Sequence, residues 1–409
     1  MFSILIKIDP GHVNTYKDVA SGKTLDYGVQ IFYNNTATTS YFEHFDIPLV
    51  SVGSGEGAGG AQNLFNFKAN TDFPEPDGKT QQELLAPALG NYSQQLAKYP
   101  YLAETFDLPD PVPEDLTIPF GEFSTKYGLL AAVLPAHLYN QIGNIIKLPT
   151  LYVMKAFSAI QVQTITNAGF VANGLQNNQL LYDKAQAELG SNVFVESKVT
   201  HIVRNETEVE VYFDTPSGKK VVKACRLLIA IPPTAKNLEF LDADDNEKEI
   251  FGTFTYNYYF DAVLNNTGIP ANQTLVNVGG LDTQLAPELP ATYVLRPSTI
   301  EGIQTAYYGT YSPTTSEQAG AAIIEAIEKV RKTLGYPEPK EPTKVIEIHN
   351  HAPYELVVTG EQIKQGFYKK LEALQGAKKT WFTGAAWKTH ASSEIWDFNE
   401  KHIIPELLK

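Results

Sequence analysis

The pattern of hydrophobic and polar residues in the first half of the chain predicts one strand and a module of helices. A β-branched apolar run at 3–9 predicts a strand that Pro10-Gly11 ends. Between 81 and 176, apolar residues recur at helical spacing in blocks that prolines separate, which predicts a helical module. The predicted helices of this module lie at 82–96, 120–139 and 150–163.

The second half of the chain is dominated by predicted strands. An aromatic run at 254–260 alternates in the way that a half-buried antiparallel strand does, and it is followed by similar runs. The predicted strands lie at 193–195, 198–204, 208–213, 220–231, 254–260, 291–295, 304–311 and 345–348. The predicted helices lie at 180–189, 242–251 and 316–334. These elements favour an α/β fold with a separate α+β part.

Composition excludes several functional classes. The 409 residues are 43% hydrophobic, enough for a large core shared by two or three interleaved domains. A net charge of −14 opposes binding to nucleic acid, and no basic patch offsets it. Cys225 is the single cysteine, so neither an intramolecular disulfide nor a cysteine-based metal site is expected, and its apolar flanks predict a buried thiol.

The sequence predicts a soluble chain but leaves its compartment unknown. No apolar stretch is long enough to span a membrane, and the first residues do not form a signal peptide. Five glycosylation sequons keep a secretory origin open, although an Asn- and Thr-rich chain produces sequons by chance. They begin at Asn34, Asn91, Asn205, Asn265 and Asn272.

Two motifs favour ordinary structural interpretations over binding sites. Gly55-x-Gly57-x-x-Gly60 matches a dinucleotide fingerprint in form, but no helix follows it, so a loop is the better interpretation. The acidic run at 242–246 lacks the glycine and the glutamate of a calcium loop and is typical of a helix N-terminus.

The pair His349 and His351 lies on one side of a predicted strand, but no third ligand is near it in sequence. We therefore predict that these two side chains line a domain interface, and we predict no metal site.

The last tenth of the chain carries the most informative pattern. Residues 380–386 predict a short buried strand, a turn at Gly384 and the approach to a helical run that begins near Glu394. A strand that delivers a small-residue turn to a helix N-terminus presents free backbone N–H groups to a ligand with acceptor oxygens.

Together with 11–16 and 26–30, this pattern resembles the FAD-dependent amine-oxidase superfamily, and within it the branch of β-cyclopiazonate dehydrogenase and the flavin polyunsaturated fatty acid isomerases. The resemblance implies an α/β fold with a Rossmann-type FAD-binding domain built from separated segments. It places that domain at 1–45, 177–235 and 375–409, an antiparallel substrate domain at 46–80 and 236–374, and the helical module at 81–176.

The resemblance also implies FAD contacts, which it assigns residue by residue. The residues that approach the pyrophosphate and ribityl chain are Gly11, His12, Asn14 and Thr15, and those beside the isoalloxazine ring are Tyr27, Gly28, Val29 and Gln30. Val199 holds the adenine. Gly384 and Ala385 contact the ribityl chain, and Glu394 and Ile395 lie at the flavin's pyrimidine oxygen. Catalytic residues stay unassigned.

The function that the resemblance implies is a FAD-dependent oxidoreductase, of the kind found in secondary metabolism, that moves hydride from a hydrophobic small molecule to flavin N5. Two alternatives stay open: a flavin-dependent double-bond isomerase of fatty-acid-like substrates, and a truncated, non-catalytic member. The second alternative rests on a departure from the family pattern. The strand, Gly-x-Gly-x-x-Gly turn and helix that begin the family are expected before 3–9 and are not found, and Asp9 is the nearest candidate to bind the adenosine ribose.

Overall fold

The computed structural model describes residues 4–5, 11–52, 61–167 and 169–409. Pro10, Asp9 and the glycine triplet at 55–60 lie outside the described residues. The chain has the α/β architecture that the sequence predicts.

The described residues form the following strands and helices. The strands are β1 (Ile4–Leu5), β2 (Thr15–Lys17), β3 (Thr24–Asp26), β4 (Phe32–Tyr33), β5 (Leu49–Val52), β6 (Ala61–Asn66), β7 (Thr71–Asp72), β8 (Phe170–Asn173), β9 (Val193–Phe194), β10 (Lys198–Arg204), β11 (Val209–Thr215), β12 (Gly218–Ala224), β13 (Leu227–Ile229), β14 (Thr255–Asn265), β15 (Gln273–Asn277), β16 (Ala291–Pro297), β17 (Ile303–Thr310), β18 (Lys344–Asn350), β19 (Tyr354–Val357) and β20 (Thr380–Phe382). The helices are α1 (Thr36–His44), α2 (Gln81–Leu96), α3 (Phe120–Tyr127), α4 (Leu130–Asn140), α5 (Thr150–Ala156), α6 (Ala159–Thr166), α7 (Gln179–Leu189), α8 (Asp245–Thr253), α9 (Ser316–Thr333), α10 (Gly360–Lys364), α11 (Phe367–Glu372), α12 (Ser392–Phe398) and α13 (Ile404–Leu408).

A large sheet forms one wall of the molecule. Its strand order is β18-β14-β17-β16-β15-β6-β7, and β19 also pairs with β14. The pairs from β14 to β18 are antiparallel as predicted, whereas β6 joins β15 in parallel. Helix α9 covers one face, because Ile323, Ile327 and Val330 bury their side chains against the sheet.

Short parallel pairs form the opposite wall. Strand β1 pairs with β9, and β13 pairs with β20. The predicted strand at 220–231 is in fact two strands, since β12 ends the β10-β11-β12 meander and β13 leaves it to join β20. The break falls at Cys225, which is exposed, so the prediction of a buried thiol was wrong.

The helical module packs into the main hydrophobic core. The helix predicted at 120–139 is divided into α3 and α4 because Gly128 ends α3, and the helix predicted at 150–163 is divided into α5 and α6. Its aromatic side chains, including Phe120, Phe123 and Phe157, belong to the same buried cluster as the inward-facing side chains of the β10-β11-β12 meander. One core therefore joins the module to the meander.

A small antiparallel sheet joins three short strands from separate parts of the chain. Strand β5, within the segment 46–80, pairs with β8, which in turn pairs with β4. Strand β8 lies in the segment predicted to be helical. Phe32 on β4, Val171 on β8 and Ile47, just before β5, belong to one buried cluster beside these strands.

A buried ion-pair cluster connects β10 to α8. The Arg204 side chain, fully buried, donates to Glu247 through two nitrogens at 2.7 and 2.8 Å and to Asp242 at 2.5 Å. Glu247 also completes the capping box of Asp244 at the start of α8, which confirms the predicted acidic helix N-terminus.

We expect Arg204→Met to lower the free energy of unfolding by about 3 kcal/mol, because it removes the buried cation that Glu247 and Asp242 share. Lys378, 3.1 Å from Glu247, remains as a second cation and keeps the loss at the lower end of the range for a broken buried ion pair. Urea denaturation followed by circular dichroism measures the loss. Lys223→Met is the matched control, since Lys223 pairs with Glu210 at an exposed position, and it should change the midpoint far less. Equal effects of the two substitutions would contradict this account.

Candidate active site

A cavity of about 370 Å³ lies between the large sheet and the parallel pair β13-β20. This volume is within the range of ligand pockets, roughly 300–1,000 Å³. The chain that follows β13, at 230–233, and the chain that follows β20, at 383–386, both line the cavity. Ligands of α/β folds bind outside the carboxyl ends of parallel strands, so the cavity has the position expected of a cofactor site.

Seven of the residues that the sequence singled out line this one cavity. They come from two regions at opposite ends of the chain, 12–30 and 384–395, and they include one imidazole, that of His12. These residues are His12, Gly28, Val29, Gln30, Gly384, Ala385 and Ile395.

Three of the remaining predicted residues do not line the cavity but form side-chain hydrogen bonds next to residues that do. Asn14 is buried and donates to Asp261, the Thr15 hydroxyl donates to Asp26 at 2.5 Å, and the Tyr27 hydroxyl donates to Glu347 at 2.8 Å. These contacts join the turn that carries His12 and Gly28 to the rest of the molecule.

The last three predicted residues are not among those that line the cavity. Glu394 is buried and lies 3.5 Å from the Lys388 ammonium. Gly11 is exposed, and Val199 is half-buried on β10 against the main core. The structure therefore does not bring the residue predicted to hold the adenine together with the residues predicted at the flavin.

Backbone contacts between two turns form one side of the cavity. The amide of Val29 donates to the His12 carbonyl at 2.8 Å, and the amide of Tyr27 donates to the Asn14 carbonyl at 3.0 Å. A Cβ atom at Gly28 would lie 2.2 Å from the His12 carbonyl oxygen. Only glycine therefore fits at this close approach.

Imidazole and phenol rings stack along the wall formed by the large sheet. The ring of His12 lies 4.5 Å from that of His351, and the ring of Tyr354 lies 4.4 Å from that of His390. Tyr259 packs against both His351 and Tyr354. His12 lines the cavity and is exposed there.

A fully buried carboxylate holds this stack. Asp261 Oδ2 lies 2.9 Å from His351 Nε2 and accepts a hydrogen bond from Asn14 Nδ2 at 3.3 Å. Because a buried carboxylate needs partners of this kind, Asp261 fixes the positions of both residues. The sequence prediction that His349 and His351 line an interface fits their contacts, since His349 packs on Tyr27.

Burial shifts the pKa values of several ionisable groups of the cavity toward the neutral form. Burial raises the pKa of Glu355 well above its ordinary value, and the hydrogen bond from Asn257 offsets only part of this effect. Burial lowers the pKa of His390 to about 4. Burial, together with His351 and His390, also lowers the pKa of His12 well below its ordinary value; cavity water at its ring would weaken this effect.

Sequence reasoning missed several residues of the cavity. Arg296, Tyr307 and Glu355 lie on strands of the large sheet, and no local motif marks them. The segment at 152–157 is buried in the main core, and the helical module reaches the cavity through the end of α4 and through Gln161. Pro232-Pro233 was a usable signal, because it ends a buried strand abruptly.

Known proteins match the chain over nearly its whole length, although no family model matches it. The FAD-dependent oxidoreductase oblC of Cochliobolus heterostrophus is 37% identical over 417 residues, which cover 97% of this chain and 84% of that protein. The β-cyclopiazonate dehydrogenase of Aspergillus flavus is 28% identical over 393 residues, which cover 96% of this chain and 84% of that protein.

The chain belongs to the FAD-dependent oxidoreductases. Solved structures agree in fold. A fatty acid isomerase from P. acnes that produces CLA superposes with a TM-score of 0.76 at 19% identity, covering 97% of this chain and 89% of its own. Putrescine oxidase bound to putrescine superposes with a TM-score of 0.67 at 13% identity, covering 100% and 93%. The predicted family and fold class are confirmed.

Two further findings concern all of the residues that the structure describes. Across the part of the chain that the structure describes, no helix combines the length and the apolar character that crossing a bilayer requires. The described residues also contain no group of three or more histidine, cysteine or acidic side chains arranged to hold a metal ion.

We expect Gly28→Ala to lower the unfolding midpoint of this oxidoreductase, because the added Cβ would overlap the His12 carbonyl oxygen and force the two turns apart. Thermal unfolding followed by circular dichroism measures the change. Gly90→Ala is the matched control: nothing lies within 4 Å of a Cβ at that helical position, so the midpoint should stay or rise. A tolerated Gly28→Ala would contradict the close approach described here.

Proposed function

We propose that the chain binds FAD with the flavin end in the cavity and oxidises a hydrophobic small molecule there. The observation that carries the proposal is the convergence of 230–233 and 383–386, at the carboxyl ends of β13 and β20, on the same cavity as the turn at Gly28. Bound FAD would supply the hydride acceptor, and the protein would supply position and electrostatics.

The described residues fit the flavin end of this group. Gly384 has φ of +104° and lines the cavity, and a Cβ atom there would meet only the Ala230 carbonyl oxygen, at 4.0 Å. The backbone at this turn therefore leaves space that a ligand could occupy at close range. The contacts predicted for the adenosine end remain a proposal, since Val199 does not face the cavity.

The remaining lining residues fit a hydrophobic substrate beside the flavin. Tyr259, Tyr307 and Tyr354 form an aromatic wall on the large sheet, and Leu138 and Phe170 add apolar surface. Such a wall would exclude water from the reacting carbon and orient a flat or extended molecule. We assign no general base.

The fatty acid isomerase whose fold this chain shares suggests a second candidate function, a flavin-dependent shift of a double bond. An isomerase returns the hydride to its substrate, so it leaves no net reduced flavin under anaerobic turnover, whereas a dehydrogenase or an oxidase does. Anaerobic mixing of the FAD-loaded enzyme with candidate substrates would separate the two.

We expect Gly384→Val to weaken FAD binding by at least about tenfold, because its side chain would occupy the space beside the turn that we assign to the cofactor. Quenching of flavin fluorescence on titration of FAD measures the dissociation constant.

The matched control is Gly302→Val. Gly302 also has a positive φ, +75°, and nothing lies within 4 Å of a Cβ there, so this variant carries comparable backbone strain away from the cavity. It should bind FAD like the wild type. Equal FAD affinity in both variants would refute the proposed position of the cofactor.

A further inference from the structure

Arg296 lines the cavity from strand β16 of the large sheet. Its guanidinium carbon lies 5.4 Å from the centroid of the Tyr307 ring, in a cation–π contact, and Tyr307 lines the cavity as well. Arginine keeps its charge at every pH at which the protein is folded. A half-buried guanidinium that lines a cavity can therefore form charge-assisted hydrogen bonds with an anionic ligand there.

The described residues do not supply a negatively charged partner for Arg296. Arg296 forms no ion pair with any carboxylate in the ranges that the structure describes. The neighbouring buried carboxylates have other partners, because Asp261 contacts His351 and Asn14, and Glu394 lies beside Lys388. The Tyr307 hydroxyl, which Arg296 and Gln30 approach, is a neutral partner.

The other ionisable residues that line the cavity have partners of their own or pKa values shifted by burial. Burial raises the pKa of Glu355 well above its ordinary value, which favours the neutral carboxyl group, and Asn257 Nδ2 donates to this group at 3.1 Å. Burial lowers the pKa values of His12 and His390, which favours the neutral imidazoles. His351 faces its own carboxylate, Asp261. Among the described residues that line the cavity, Arg296 is the one arginine or lysine.

We infer that Arg296 binds an acidic group of the substrate, so that the enzyme acts on a hydrophobic molecule that carries a carboxylate. This inference rests on the proposed function and narrows its substrate class. Guanidinium and carboxylate form paired charge-assisted hydrogen bonds, which fix both the position and the orientation of a ligand. The rest of the substrate would then extend along the aromatic wall.

The position of Arg296 favours the substrate over the cofactor as its ligand. The residues proposed at the flavin, Gly28 and Gly384, lie on turns after β3 and β20, whereas Arg296 projects from the large sheet together with Tyr259 and Tyr307. Arg296 is therefore a specificity residue in this account and takes no part in hydride transfer.

Calorimetric titration of the FAD-treated protein with octanoate, octanamide and octylamine tests the inference. These probes share an apolar chain and differ only in the charge of the head group. We expect octanoate to bind about 10- to 100-fold more tightly than octanamide, the range of a hydrogen bond to a charged group. Octylamine should bind more weakly still.

Three variants assign the preference to Arg296. Arg296→Met should remove the preference for octanoate and leave octanamide binding unchanged, and Arg296→Lys should retain part of it. Arg226→Met is the control, since Arg226 donates to the Leu407 carbonyl and does not line the cavity. It should keep the full preference.

Two results would overturn the inference: no difference between octanoate and octanamide in the wild type, or an unchanged octanoate preference in Arg296→Met. Release of FAD by Arg296→Met with that preference intact would make Arg296 a cofactor contact. The proposed function fails separately, if the wild-type protein retains no FAD. The preference for octanoate over octanamide can still be measured in that protein. A preference measured there would support the anion site at Arg296 without supporting the FAD site.

Discussion

The buried carboxylate of Asp261 is the contact on which the cavity depends. It lies on β14 with no exposed surface, and it joins His351, beyond the end of β18, to Asn14 near the beginning of the described chain. A buried charge without partners costs several kcal/mol, so the free energy of folding favours the arrangement that brings these segments together. The stack of His12 on His351 and the close approach at Gly28 follow from it.

This constraint explains why the cavity is built from distant parts of the chain. The segment at 12–30 supplies a turn, and the segment at 230–233 supplies a strand end with two prolines. The large sheet supplies aromatic side chains, and the segment at 383–386 supplies a glycine turn before α12. None of them encloses a site alone. Because the wall of the large sheet is aromatic and carries Arg296, and the wall of the parallel pair is backbone and small side chains, the two sides of the cavity suit two different ligands.

Local sequence patterns predicted much of the fold and part of the site. Helices α2, α7 and α9 begin and end within a few residues of their predicted bounds, because helical spacing is a local signal, and capping boxes also mark the starts of α2 and α9. The division at Cys225 and the pairing of β5 with β8 were missed, since both depend on distant strands. The turn at Gly384 was found from the local pattern of a buried strand followed by small residues, and the role of Gly28 came from the resemblance to a family. The sequence did not reveal the roles of Arg296, Tyr307 and Glu355. These residues lie on different strands and come together at the cavity only when the large sheet has folded.

The most direct test of the account is the visible absorption spectrum of the purified 409-residue chain after incubation with FAD and gel filtration. The account predicts that flavin elutes with the protein at close to one flavin per chain. Its absorption spectrum should be shifted relative to that of free FAD, because the ring lies against aromatic side chains. Protein that elutes folded and colourless would contradict the central claim that these converging segments hold a flavin.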